Sequence, residues 1–118
     1  MTHTHHVIDY IELAAPDLEG SKSFHAEVFG WEFNDYGPQY AGIQSSSGEG
    51  EVGGLDGGGT AGRGAPLVMI YSADLRATVD AVTAAGGKIT IEPFDFPGGR
   101  RFHFIDPGGN ELGVYSTS

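Results

Sequence analysis

Cysteine is absent from this chain of 118 residues. That excludes disulfides, thiolate nucleophiles and cysteine-ligated zinc, and it suits a reducing compartment. Cations are scarce as well: 6 lysines and arginines stand against 16 aspartates and glutamates, for a formal net charge of -10. Phosphate backbones and anionic membranes are repelled by such a surface, so neither nucleic acid nor a membrane is an expected partner. No apolar run approaches the roughly 18 residues of a membrane-spanning helix. The opening MTHTHHVIDY has no basic segment followed by an apolar core, so no secretory leader is read there and a cytoplasmic address is the expectation. His3, His5 and His6 have nothing nearby to fix their geometry. They read as an unstructured tail rather than a metal site.

What the chain does have is an internal repeat. IELAAPDLEGSKSFHAEVFGW, from Ile11, and VMIYSADLRATVDAVTAAGGK, from Val68, superimpose with one constant offset that places Asp17 on Asp74 and Gly30 on Gly87. Each copy reads as a strand, an Asp suited to N-cap a helix, apolar residues at helical spacing, and a glycine suited to end it. Leu18, Phe24 and Val28 form the apolar stripe of the first helix, and Leu75, Val79 and Val82 that of the second. His25, on the first helix, is read as a surface or packing residue.

Three short strand-like stretches follow each helix: Trp31 to Tyr36, Tyr40 to about Ser45 and Val52 to Leu55, then Lys88 to Phe94, Arg101 to Ile105 and Glu111 to Ser116. Asp106-Pro107-Gly108-Gly109-Asn110 supplies the turn before the last strand. The chain therefore divides into two βαβββ units, about 7–57 and 66–116, with a glycine-rich linker at about 58–65. Gly57, Gly59 and Gly62 spell a G-x-G-x-x-G pattern there. No helix is expected to open after it, and Pro66 leads into a strand, so it is read as linker and not as a dinucleotide site.

The paired βαβββ units, the segment PDLEGSKSFHAEVFGW and the closing FIDPGGNELGVY resemble the vicinal oxygen chelate superfamily, which includes glyoxalase I, extradiol dioxygenases, fosfomycin-resistance enzymes and bleomycin-resistance proteins. The resemblance covers residues 7 to 116 and is strongest to small glyoxalase-like proteins whose last turn is followed by Gly rather than Glu. It implies an α+β fold in which the two units form a curved, mostly antiparallel sheet around a cavity, with the helices outside. It also implies metal ligands on the first strand of each unit and on the final strand. Carried over, those positions are Tyr10, Leu67 and Gly113. None is an ordinary ligand for a divalent cation, so no metal and no cofactor are expected.

Alternation along the strands then lists the inward-facing residues: Tyr10 and Glu12, Met69 and Tyr71, Arg101 and His103, and Tyr115, with Phe102 and Phe104 on the helix face. An acid, a base, a guanidinium and several aromatic surfaces suit a partly apolar small molecule carrying one or two polar groups. Glu12 and Arg101 are also read as an interior ion pair, and His103 as a hydrogen-bonded strand histidine. A register error exchanges the faces, and the alternative assignment makes Glu111 a metal ligand with His103 and Glu12. Fold and resemblance thus lead to a metal-independent binding protein of the bleomycin-resistance type, dimeric, with its cavity within one chain or between two. The competing reading is a glyoxalase-like lyase or isomerase using Glu12 and His103 for proton transfer, or one with an unorthodox metal site.

Overall fold

The computed structural model describes residue 5, residues 8–59 and residues 67–117. His3, His6, Gly62 and most of the linker lie outside the described residues. Unit one comprises β1 (Ile11–Ala14), α1 (Leu18–Phe29), β2 (Phe33–Asp35), β3 (Tyr40–Gln44) and β4 (Glu51–Asp56). Unit two comprises β5 (Val68–Tyr71), α2 (Leu75–Ala84), β6 (Lys88–Phe96), β7 (Gly99–Ile105) and β8 (Glu111–Ser116). The predicted repeat is therefore present element for element, and β1 and β5 occupy matching positions in the two copies.

The helix signals act as the sequence suggests. Asp17 accepts a hydrogen bond from the Gly20 amide and Asp74 from the Ala77 amide, each satisfying a donor the first helical turn leaves unpaired. Such a cap contributes about 1 kcal/mol. Gly30 ends α1 in the left-handed conformation, φ 73°. In the second copy that role falls to Gly86, φ 97°, and not to Gly87. Gly87 instead has no room for a side chain, because a Cβ there would press on Val82 and Phe24.

Each unit forms its own four-stranded sheet, in the orders β1-β4-β3-β2 and β5-β8-β7-β6. The expected α+β arrangement of two βαβββ units is present, built as two mixed sheets with no ladder joining them among the described residues. In each, the first strand runs parallel to the last, and the remaining pairs are antiparallel. The helix faces of both sheets share one core, in which Leu13, Leu55, Phe102, Phe104, Leu112 and Val114 are buried beneath Leu18, Phe24, Val79 and Val82. Val28 is only half-buried; Ser21 and His25 complete the inner face of α1 instead.

His25 is a fully buried packing residue. Its ring stacks on Trp31 at 4.7 Å between centroids, and its Nε2 lies 3.0 Å from Oδ2 of Asp106 in the turn between β7 and β8. The carboxylate accepts, so Nε2 carries the ring proton. Asp106 also accepts from the Asn110 amide, and the Asn110 side chain donates to the carbonyl of Ala14 at the end of β1. Gly108 lets this turn approach, since a Cβ there would meet the same carbonyl. A helix and strand of unit one are thereby fastened to the last turn of unit two.

Candidate functional site

The sheet faces opposite the helices carry the predicted site residues. On unit two the ladder aligns them in two rows across all four strands. Tyr71, Tyr115, Arg101 and Phe94 form one, and Met69, Gly113, His103 and Ile91 the other. On unit one, Glu12 heads a row that continues through Gly54 and Gly42 to Asn34. Tyr10 lies one residue before β1, as Leu67 does before β5.

The two proton-transfer candidates stand on different sheets with different partners. Glu12 accepts a hydrogen bond from the Tyr40 hydroxyl at 3.0 Å, and Tyr40 also bonds the Tyr10 hydroxyl. His103 faces Glu111, with Nδ1 3.6 Å from Oε2, and Thr90 donates to that same carboxylate oxygen. Arg101 Cζ lies over the rings of Phe94 and Phe96, 5.4 and 5.3 Å from their centroids. No ion pair joins Glu12 to Arg101 among the described residues, which removes the interior-pair reading.

Unit one contributes a cluster that the sequence reading did not list. Gly42 and Gly54 pair as a floor without side chains; a Cβ on Gly54 would fall on the Tyr40 and Tyr10 hydroxyls, and one on Gly42 on the Glu51 carboxylate. Glu51 accepts from Tyr36 at 2.6 Å and from Asn34 at 2.9 Å. Those two donors hold its carboxyl below the usual range, the Tyr36 bond first. The same bond raises the Tyr36 phenol. Tyr40 is raised much further, by burial first and then by its bonds to Tyr10 and Glu12.

A pH titration checks this. Of the 5 tyrosines, Tyr40 is expected to ionise last, well above the ordinary value of about 10, when phenolate absorbance is followed on the folded protein. Because folding raises this pKa, the associated stability is complete below pH ~10 and is lost as pH rises toward the folded value. Tyr40→Phe should remove the late step; its persistence in that variant would refute the assignment.

The metal positions carried over from the family do not fit a metal. The Tyr10 hydroxyl is bonded to Tyr40, Leu67 has no donor atom, and the space beside Gly113 is filled by the Met69 thioether. Glu111 and Gly113 share one face, two residues apart, so no change of register is needed to place Glu111 beside His103. Yet no group of three His, Cys, Asp or Glu side chains suited to a metal occurs among the described residues. A groove of about 670 Å³ opens between the units, lined by Leu13, Phe29, Trp31, Val68, Ile70 and the site residue Tyr71 among others.

Fold and site define a small glyoxalase-type domain. The profile of the glyoxalase/bleomycin resistance protein/dioxygenase superfamily matches residues 7–114, and the chain belongs to that superfamily. A curated relative in Mycobacterium bovis, named "Putative glyoxylase CFP32", is 29% identical over 93% of this chain, which spans only 45% of that protein's length. Among solved structures, the fosfomycin resistance protein FosX of Listeria monocytogenes superimposes with a TM-score of 0.78 at 15% identity, covering 98% of this chain and 96% of that one. TnmS3, an antibiotic binding protein from Streptomyces sp. CB03234, does so with 0.68 at 21%, covering 100% and 99%. No described helix is long and apolar enough to cross a membrane.

Proposed function

We propose that this protein is a metal-independent, cytoplasmic, homodimeric binding protein that takes a small, partly apolar molecule on the helix-free faces of its sheets. The observation that carries the reading is the pairing of a well-formed set of polar and aromatic groups with ligand positions unfit for a metal: Tyr10 is engaged, Leu67 is inert and Gly113 is covered by Met69. The likeness to an antibiotic binding protein supports sequestration. Exposed Tyr10, Tyr36, Tyr71, Ile91 and Phe94 on these faces support a covering ligand or second copy. A cysteine-free composition suits the cytoplasm.

The second reading, an acid-base lyase or isomerase, is favoured by Glu12 and His103, each already held by a hydrogen-bonding or charged neighbour. One experiment separates them. Tag-free protein dialysed against chelator is screened for ligands by thermal shift, its mass is measured by sedimentation, and any hit is tested for turnover with wild type, Glu12→Gln and His103→Ala. Sequestration predicts a dimer whose binding survives chelation, weakens in one or both variants and yields no product. Product formation that vanishes in a variant still able to bind would establish catalysis instead. Binding abolished by chelation and restored by a divalent metal would overturn metal independence, and a single 12.4 kDa chain in solution would overturn the dimer.

A further inference from the structure

We infer that Arg101 is an anion-recognition residue, and that the molecule bound on unit two's helix-free face carries a carboxylate on an aromatic or similarly flat apolar body. This rests on the reading of that face as a ligand site and adds the chemical class of the ligand.

The argument begins with charge. Carboxylates outnumber cations 16 to 6 in this chain, so acidic partners for an arginine are plentiful. The other arginines with described neighbours use them: Arg76 pairs with Asp80, and Arg100, adjacent in sequence, pairs with Asp95. Arg101 does not. Among the described residues its contacts are the two phenylalanine rings, and its Nε is buried without a hydrogen-bond partner. A buried charged donor left unsatisfied is costly, and a guanidinium satisfies a carboxylate through two parallel N–H bonds. Its contacts with Phe94 and Phe96 already restrict the side chain, so less freedom remains to be lost on binding.

The surroundings suit the rest of such a ligand. Tyr115 stands opposite Arg101 on β8, and Tyr71 meets Tyr115 edge-to-face at 5.5 Å. Tyr71 is 56% exposed and Phe94 36%. An aromatic body beside the carboxylate would cover these rings, and edge-to-face or offset contacts with them are favourable.

The test compares phenylacetate with its neutral isostere phenylacetamide by NMR titration of the wild-type protein, following the Arg101 Nε–H signal and the amides of β7 and β8. Phenylacetate should move that signal saturably and bind about tenfold or more tightly than the amide. Arg101→Met should reduce phenylacetate to the affinity of the amide, while Arg101→Lys, which keeps the charge but not the fork, should fall between. The wild-type signal decides the matter even if Arg101→Met does not fold. Equal affinity for the two compounds, undiminished binding by Arg101→Met, or an unmoved Arg101 signal overturns the inference. If both compounds shift the face equally, the ligand-site reading survives and only the anion fails. If neither perturbs the face at high millimolar concentration, both fall.

Discussion

Replacing Asp106 by alanine is expected to destabilise the fold by about 3 kcal/mol, the upper end of the scale for leaving a buried polar group without its hydrogen-bond partner. Asp106 is 4% exposed and serves three donors: the His25 ring, the Asn110 amide and the Asn110 side chain. Alanine leaves the Nε2–H of a fully buried imidazole facing a void, with neither water nor protein to receive it. Asp106→Asn retains an oxygen for His25 and should cost less than half as much. Urea denaturation followed by Trp31 fluorescence reads the effect directly, because Trp31 is the single tryptophan and stacks on His25. A loss below about 1 kcal/mol in the alanine variant would show that the pair does not hold the units together.

Phe104→Ala is expected to cost about 3–5 kcal/mol, the range for deleting a fully buried aromatic ring. Phe104 is 0% exposed, and its ring centroid lies 6.0 Å from that of Phe24, 6.2 Å from Phe29 and 6.1 Å from Phe102. Two of those neighbours belong to α1 of the other unit, so truncation opens a cavity that neither half can fill by relaxing alone. Phe104→Leu should recover much of the loss in the same urea measurement. A Phe104→Ala variant as stable as wild type would mean that the two helix faces are not one core.

The helices, the core face of β7 and the parts of unit two's rows that lie on β5, β7 and β8 were legible in the sequence because each follows a single rule. Asp17 and Asp74 cap, and strict alternation carries Phe102 and Phe104 inward while Arg101 and His103 point the other way. Legibility ends where alternation is broken. In β4 the pairing steps from Ile43 opposite Gly53 to Gln44 opposite Glu51, leaving Val52 as an extra residue. That bulge turns Glu51 onto the helix-free face, which simple counting denies it. In β6 one shift falls between Ile89 and Ile91 and a second, spanning Pro93, between Ile91 and Phe94; together they bring Ile91, Phe94 and Phe96 to the face of Arg101. A proline inside a strand is the one local sign that such a shift was due. Tyr40 carries no local mark of its own: it opens β3, and only the fold brings its hydroxyl to the Glu12 carboxylate and the Tyr10 hydroxyl, both distant in sequence. Nothing local announces the bond between His25 and Asp106, which joins residues 81 positions apart.

That bond, together with Phe104 resting on Phe24 and Phe29, changes what the internal duplication means for the energy landscape. A chain built of two like halves invites comparison with repeat arrays, whose units melt in sequence because each contacts its neighbour through a modest interface. Here the last turn of one half supplies the acceptor for a histidine buried in the other, and α1 of the first half packs Phe24 and Phe29 against Phe104 of the second. Opening either half strips the other of interior it cannot replace. The duplication persists as geometry, while the shared interior predicts that the two halves unfold together as one cooperative unit.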